Sequence, residues 1–110
     1  MTKELFQKIL SKLDIRYNEG ITSDDNIETP RLVFWNYVWE DIDASGEGYN
    51  TIVTYQVSMF SDEEPMSNQK LKDLKKELAK YDLRPTIFHE YVEKTREWHS
   101  YFSIDILENV

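Results

Sequence analysis

Residues 33–41 read VFWNYVWED and place four aromatic side chains among nine positions, in a composition typical of a β-strand. Successive side chains of a strand point to opposite faces of its sheet, so a strand with one face in water alternates between apolar and polar residues. This stretch has aromatic residues at both odd and even positions. It therefore predicts a strand whose second face is covered by something other than solvent.

The strand belongs to a predicted hairpin over residues 31–61. Its two strands, 31–42 and 49–61, are joined by the turn formers DASGEG at 43–48. A turn centred near 44–48 predicts one fully apolar face, expected to meet the core: Trp35, Tyr37, Trp39, Val53, Tyr55, Val57 and Met59. The same turn predicts a mixed second face: Leu32, Phe34, Asn36, Val38, Ile52, Thr54, Gln56 and Ser58.

Two amphipathic helices and a second hairpin are predicted around the first hairpin. Apolar residues recur every three or four positions in 1–13, with Thr2 as a candidate N-cap, and again in 67–82. Residues 14–30 are polar and acidic and predict a long loop, and 86–108 predict strands joined by a turn at 94–97. The order α-β-β-α-β-β over 1–110 predicts a single α+β domain with a four-stranded, mostly antiparallel sheet and both helices on one face.

The second sheet face has no covering element in this prediction. Exposed aromatic area of this kind is typical of a surface that binds a partner. The candidate assembly surface comprises Phe34, Asn36, Val38, Gln56, Tyr91 and Tyr101. An alternative remains open, in which residues 14–29 fold over this face and use Ile21 and Ile27 as anchors.

Composition and charge exclude several classes of protein. The chain has 110 residues, a formal net charge of -8 and a pI near 4.7, which opposes binding to nucleic acid or to anionic lipid. It has no cysteine, so disulfides and thiolate metal sites are excluded. The N-terminal segment is too charged for a signal peptide, and no apolar run reaches the length of a membrane span. A soluble, intracellular protein without membrane contact is expected.

The strongest catalytic candidate is HEYVEKTREWH, which contains His89, His99 and three carboxylates. If the residue numbers of each pair in this hairpin add up to an even number, both histidines lie on one face, where a metal ion could bridge them. No third inward-facing ligand and no H-E-x-x-H spacing accompany them, so hydrogen-bonded cross-strand histidines are the preferred interpretation. The acidic residues 23–28 lack the spacing of a calcium loop. No catalytic residue, cofactor or metal is predicted, and a small metal-dependent enzyme is the third hypothesis.

The aromatic strand patterns resemble a known family. FWNYVWEDIDASGEGYNTIVTYQVSMFS, a Lys-rich helix and RPTIFHEYVEKTREWHSYFSIDI together resemble tail-completion or tail-terminator proteins of long-tailed phages and prophages of Gram-positive bacteria. The resemblance covers residues 31–106. It is carried best by two groups of residues: Phe34, Trp35, Asn36, Tyr37 and Trp39 in the first strand, and His89, Glu90, Tyr91 and Val92 in the third.

The resemblance implies a non-enzymatic α+β protomer that forms a ring, commonly six-fold. Such a ring terminates the tail tube and joins it to the head connector, so the implied partners are copies of the chain, the tail tube protein and the connector protein. DNA would pass through the ring without specific binding. The implied locations are the host cytoplasm during assembly and the head-tail junction of the virion. The alternative function is a monomeric or dimeric binding module that holds a hydrophobic ligand or a host protein on its aromatic sheet face.

Overall fold

A computed structural model describes residues 1–20, 30–42 and 48–110. These residues form two helices, five strands and a 3₁₀ turn in the order α1 (Lys3–Lys12), β1 (Tyr17–Glu19), β2 (Arg31–Asp41), β3 (Thr51–Ser61), the 3₁₀ turn (Pro65–Ser67), α2 (Gln69–Ala79), β4 (Phe88–Val92) and β5 (Glu97–Glu108). The predicted α+β class is therefore confirmed. None of the helices in these three ranges is long and apolar enough to cross a membrane.

The five described strands form one sheet in the order β1-β2-β3-β5-β4, in which the β1–β2 pair is parallel and the other three pairs are antiparallel. The prediction of four strands, with a loop throughout 14–30, is wrong at β1. This strand has three residues, too few to show an alternating pattern. It forms because Tyr17 pairs with Leu32 and packs against the Phe34 ring at 6.0 Å. Ile21 and Ile27, the anchors of the alternative covering loop, lie outside the described residues.

Both helices begin at side-chain caps. Thr2 Oγ1 accepts a hydrogen bond from the Leu5 amide at 3.3 Å, which confirms the predicted N-cap. Asn68 Oδ1 caps α2 by accepting from the Leu71 amide at 3.1 Å, two residues later than the predicted start because Pro65–Ser67 forms the 3₁₀ turn. Glu77 joins the two helices, and hydrogen bonds from Lys80 and Lys12 lower its pKa.

The core lies between the helices and one face of the sheet, which we call the helix side. Most of its buried side chains come from α1, α2 and the three central strands, and the largest include Phe6, Leu10, Phe34, Tyr55, Met59, Leu74 and Leu78. The Phe34 ring meets Phe6 edge to face at 5.3 Å. The Tyr55 hydroxyl donates to Glu108 at 2.7 Å, so the one polar group of that ring is satisfied.

A β-bulge in β2 overturns the predicted assignment of its faces. The register with β3 shifts between Asn36 and Val38, which leaves Tyr37 as an extra residue. Before the bulge, even-numbered residues face the helices, and Phe34 pairs with Val57 and is 0% exposed. The prediction that Trp35 meets the core and Phe34 lies on the opposite face is therefore wrong. Beyond the bulge the predicted parity holds, since Trp39 pairs with Val53.

Candidate assembly surface

The sheet face opposite the helices, called here the outer face, carries a continuous stack of planar groups. The Arg31 guanidinium lies 4.5 Å from the Phe60 ring centre, and that ring stacks on His99 at 4.6 Å with 5° between the planes. His99 stacks on Tyr101 at 4.7 Å, and Tyr101 stacks on Phe88 at 5.5 Å. The stack crosses β2, β3, β5 and β4 in turn. Stacked pairs of this kind stabilise beyond the area that they bury.

Polar contacts hold this stack in place. His99 Nδ1 lies 2.9 Å from Glu90 Oε1, and its Nε2 lies 2.8 Å from Ser58 Oγ. Arg31 forms an ion pair with Glu97 at 2.8 Å, and both side chains are mostly buried. Because both nitrogens of His99 have partners, its ring is fixed between its aromatic neighbours. These contacts all lie within one copy of the chain, so the outer face is a preformed surface.

The predicted assembly surface is divided between the two faces of the sheet. Val38, Gln56 and Tyr101 lie on the outer face, where Gln56 donates to Ser58 Oγ at 3.3 Å. The other three do not: Phe34 is in the core, Asn36 pairs with Tyr55 on the helix side, and Tyr91 pairs with Trp98 on the helix side. The bulge accounts for Phe34 and Asn36. The register of the second hairpin accounts for Tyr91.

That register also separates the two histidines. Val92 pairs with Glu97 around a four-residue turn, so His89 pairs with Ser100. The residue numbers of each pair therefore add up to an odd number, whereas a shared metal ion required an even one. His89 and His99 therefore lie on opposite faces of the sheet. His89 Nδ1 lies 2.8 Å from Ser100 Oγ, as expected of a hydrogen-bonded histidine. Within 1–20, 30–42 and 48–110, no three His, Asp or Glu side chains are placed to hold a metal ion.

The two histidines should differ in their contribution to stability. We expect His99→Ala to lower the free energy of unfolding by about 1–3 kcal/mol, because it removes the central ring of the stack and two hydrogen bonds. His89→Ala should cost less than about 1 kcal/mol, since it removes one contact of an exposed side chain. Urea denaturation of both single variants and of the double variant measures this. An equal loss of unfolding free energy in the two single variants would contradict the placement of the histidines on opposite faces. So would a metal ion that is bound by the wild type and lost from the double variant.

The distal half of β2 is an exposed strand, which sequence reasoning placed partly in the core. All six residues at 36–41 are exposed, with Tyr37 at 55%, Val38 at 43% and Trp39 at 62%. β1 pairs with β2 only as far as Phe34, so no described strand occupies the β1 side of residues 36–41. The sequence signal was present in part, because this half of the strand carries large apolar side chains at both odd and even positions: Tyr37, Val38 and Trp39.

A groove at the other edge of the sheet was not predicted. It lies on the helix side, has a volume of about 290 Å³, and is lined by apolar groups of Pro65, Leu71, Pro85 and Ile87. Met66 and His89 also line it, and Lys72 and Lys75 add positive charge. The segments that form it, 65–75 and 85–89, are separated along the chain, so no local pattern could reveal it.

No family model and no curated protein matches this chain.

Proposed function

We propose that the chain is a non-enzymatic structural subunit of phage or prophage tail assembly. Copies of it form a ring that terminates the tail tube and joins it to the head connector. The observation that carries this proposal is the exposed distal half of β2, where Tyr37, Val38 and Trp39 present apolar surface to solvent. Large apolar side chains exposed at three consecutive positions of a strand are typical of an interface.

The outer face supports the same function. Its stack of planar groups is open to solvent at Phe88, and both ring nitrogens of His99 have partners within the sheet. A rigid surface of this type can bind a neighbouring subunit without first reorganising, which limits the entropic cost of assembly. The resemblance of residues 31–106 to tail-terminator proteins gives the proposal its specific setting at the head-tail junction.

The distribution of charge also favours a ring around DNA. The two helices carry seven lysines and three acidic residues, whereas the whole chain has a net charge of -8. The acidic excess is therefore in the sheet and its connections. A ring with its sheets nearest the central channel would repel the phosphate backbone and let DNA pass without binding specifically.

The proposed partners are further copies of the chain, commonly six in a ring, the tail tube protein and the head connector protein. Assembly would take place in the host cytoplasm, and the finished ring would remain at the virion junction. The test uses heads and tails purified from phage that is produced without this chain. Adding the purified protein should join them into complete particles. Unjoined heads and tails, together with saturable binding of a hydrophobic ligand, would favour the binding-module alternative instead.

A further inference from the structure

We infer that residues 36–41 of one copy add as a strand to the edge of β4 in the next copy, with Trp39 seated in the groove beside β4. This inference rests on the proposed ring and specifies the contact that closes it. We call residues 36–41 the tongue, and the cavity lined by Pro65, Leu71, Pro85, Ile87, Lys72 and Lys75 the groove.

Within the described residues, each edge of the sheet has strand backbone that pairs on one side only: residues 36–41 with β3, and β4 with β5. β1 pairs with residues 32–34 of β2 only, and β4 pairs with β5 on one side. No other described strand lies beyond either the tongue or β4. Unpaired backbone amides and carbonyls at an edge strand are a template for pairing with another chain. Here the two templates are at opposite edges of one sheet.

The strand directions are compatible with a continuous sheet. β2 is antiparallel to β3, β3 is antiparallel to β5, and β5 is antiparallel to β4, so β4 runs opposite to β2. If the next copy continues the sheet in the same orientation, its β4 meets the tongue as an antiparallel neighbour. Antiparallel pairing is the more stable of the two arrangements per residue.

The bulge sets which side chains of the tongue face the groove. Trp39 pairs with Val53 and Asp41 pairs with Thr51, and these partners are buried on the helix side of β3. Trp39 and Asp41 therefore project to the helix side of the sheet. The groove lies on that side of β4, since it is formed with α2 and the 3₁₀ turn. An added tongue would present the indole to the apolar wall of the groove.

The charges of the two surfaces are complementary. Asp41 projects to the same side of the tongue as Trp39, and Lys72 and Lys75 line the groove. Within the described ranges none of these three charged residues forms an ion pair. An apolar anchor with a carboxylate on the same side therefore meets an apolar groove with lysines. The occupant that this chemistry selects is a second copy of the chain.

The contact is head to tail, because tongue and groove are different surfaces. A contact of this class repeats from copy to copy and generates a ring when the rotation closes. We expect Trp39→Ala to weaken self-association by about 30-fold or more, as loss of a buried aromatic anchor does. Lys72→Glu combined with Lys75→Glu should weaken it similarly. Tyr81→Ala is the matched control, since Tyr81 is an exposed aromatic residue at 47% outside both surfaces, and we expect a change within about twofold.

Mixing the two defective variants gives the decisive measurement. The Trp39→Ala chain keeps an intact groove, and the Lys72→Glu/Lys75→Glu chain keeps an intact tongue. An equimolar mixture should form a heterodimer and nothing larger by analytical ultracentrifugation, while each variant alone stays monomeric. Circular dichroism checks that both variants are folded. A Trp39→Ala chain that associates like wild type, or a mixture without a heterodimer, would overturn the inference.

The absence of cysteine allows weak association to be tested by crosslinking. Val38→Cys and Glu90→Cys in one chain place one thiol on the tongue and one on β4. A short bismaleimide should then produce a ladder of oligomers that Trp39→Ala suppresses. A ladder that persists in the Trp39→Ala background, or no ladder at all, would reject this contact.

The inference and the proposed function fail separately. If head-tail joining is normal but the mixed variants form no heterodimer, the ring closes through another surface and only the inference is overturned. If the heterodimer forms but wild type joins no heads to tails, the contact is correct and the proposed function is wrong.

Discussion

Phe34→Glu is expected to unfold the domain. The Phe34 ring is 0% exposed and contacts Phe6, Tyr17 and Tyr55. Truncation of such a ring to alanine costs about 3–5 kcal/mol, and a carboxylate in the same place adds the cost of a buried, unpaired charge. Domains are stable by only about 5–15 kcal/mol, so the folded state should be lost. Circular dichroism should show the loss of secondary structure.

Val38→Glu is the matched control because it introduces the same charge four residues later in β2, where the side chain is 43% exposed. This variant should remain folded and show a normal urea transition. Trp35→Glu should also remain folded, since Trp35 lies on the outer face opposite Gln56 and is only half-buried. If Phe34→Glu stays folded while Trp35→Glu unfolds, the bulge is absent and the faces of β2 are those expected from simple alternation.

Leu74→Ala and Leu78→Ala should each lower the free energy of unfolding by about 2–5 kcal/mol. Both leucines are fully buried between α2 and the sheet, so each truncation removes apolar burial and leaves a cavity. Lys76→Ala on the exposed face of the same helix is the control and should change stability by less than about 0.5 kcal/mol. Chemical denaturation measures all three. Leucine variants as stable as the lysine variant would mean that α2 does not pack on the sheet.

The helices and long strands were predictable because their periodicity extends over ten or more residues. Leu71, Leu74 and Leu78 repeat at helical spacing within the predicted helix 67–82 and are buried. The N-cap at Thr2 was likewise readable from residue type and position. β1 could not be predicted, because three residues are too few to show an alternating pattern. The strand forms only through its pairing with residues Leu32 to Phe34.

The candidate site was only partly predictable, for two physical reasons. A bulge changes the sheet face to which every residue beyond it points. The sequence around Tyr37 does not reveal the bulge, because large apolar residues occur there at both odd and even positions. Which residues of β4 face the helices depends on the number of residues in the turn before Glu97, because that number sets the register with β5. The sequence KTRE does not determine it. Phe34 and Tyr91 were misplaced for these reasons, whereas Val38, Gln56 and Tyr101 lie on the predicted face.

We propose that copies of this chain form a ring at the end of a tail tube. Electron microscopy of tail tubes, assembled from the tail tube protein of the same genome and incubated with the purified chain, tests it most directly. We expect a ring of fixed copy number at one end of each tube, present with Tyr81→Ala and absent with Trp39→Ala. Tube ends without added density, with the wild-type chain still monomeric beside them, would contradict it.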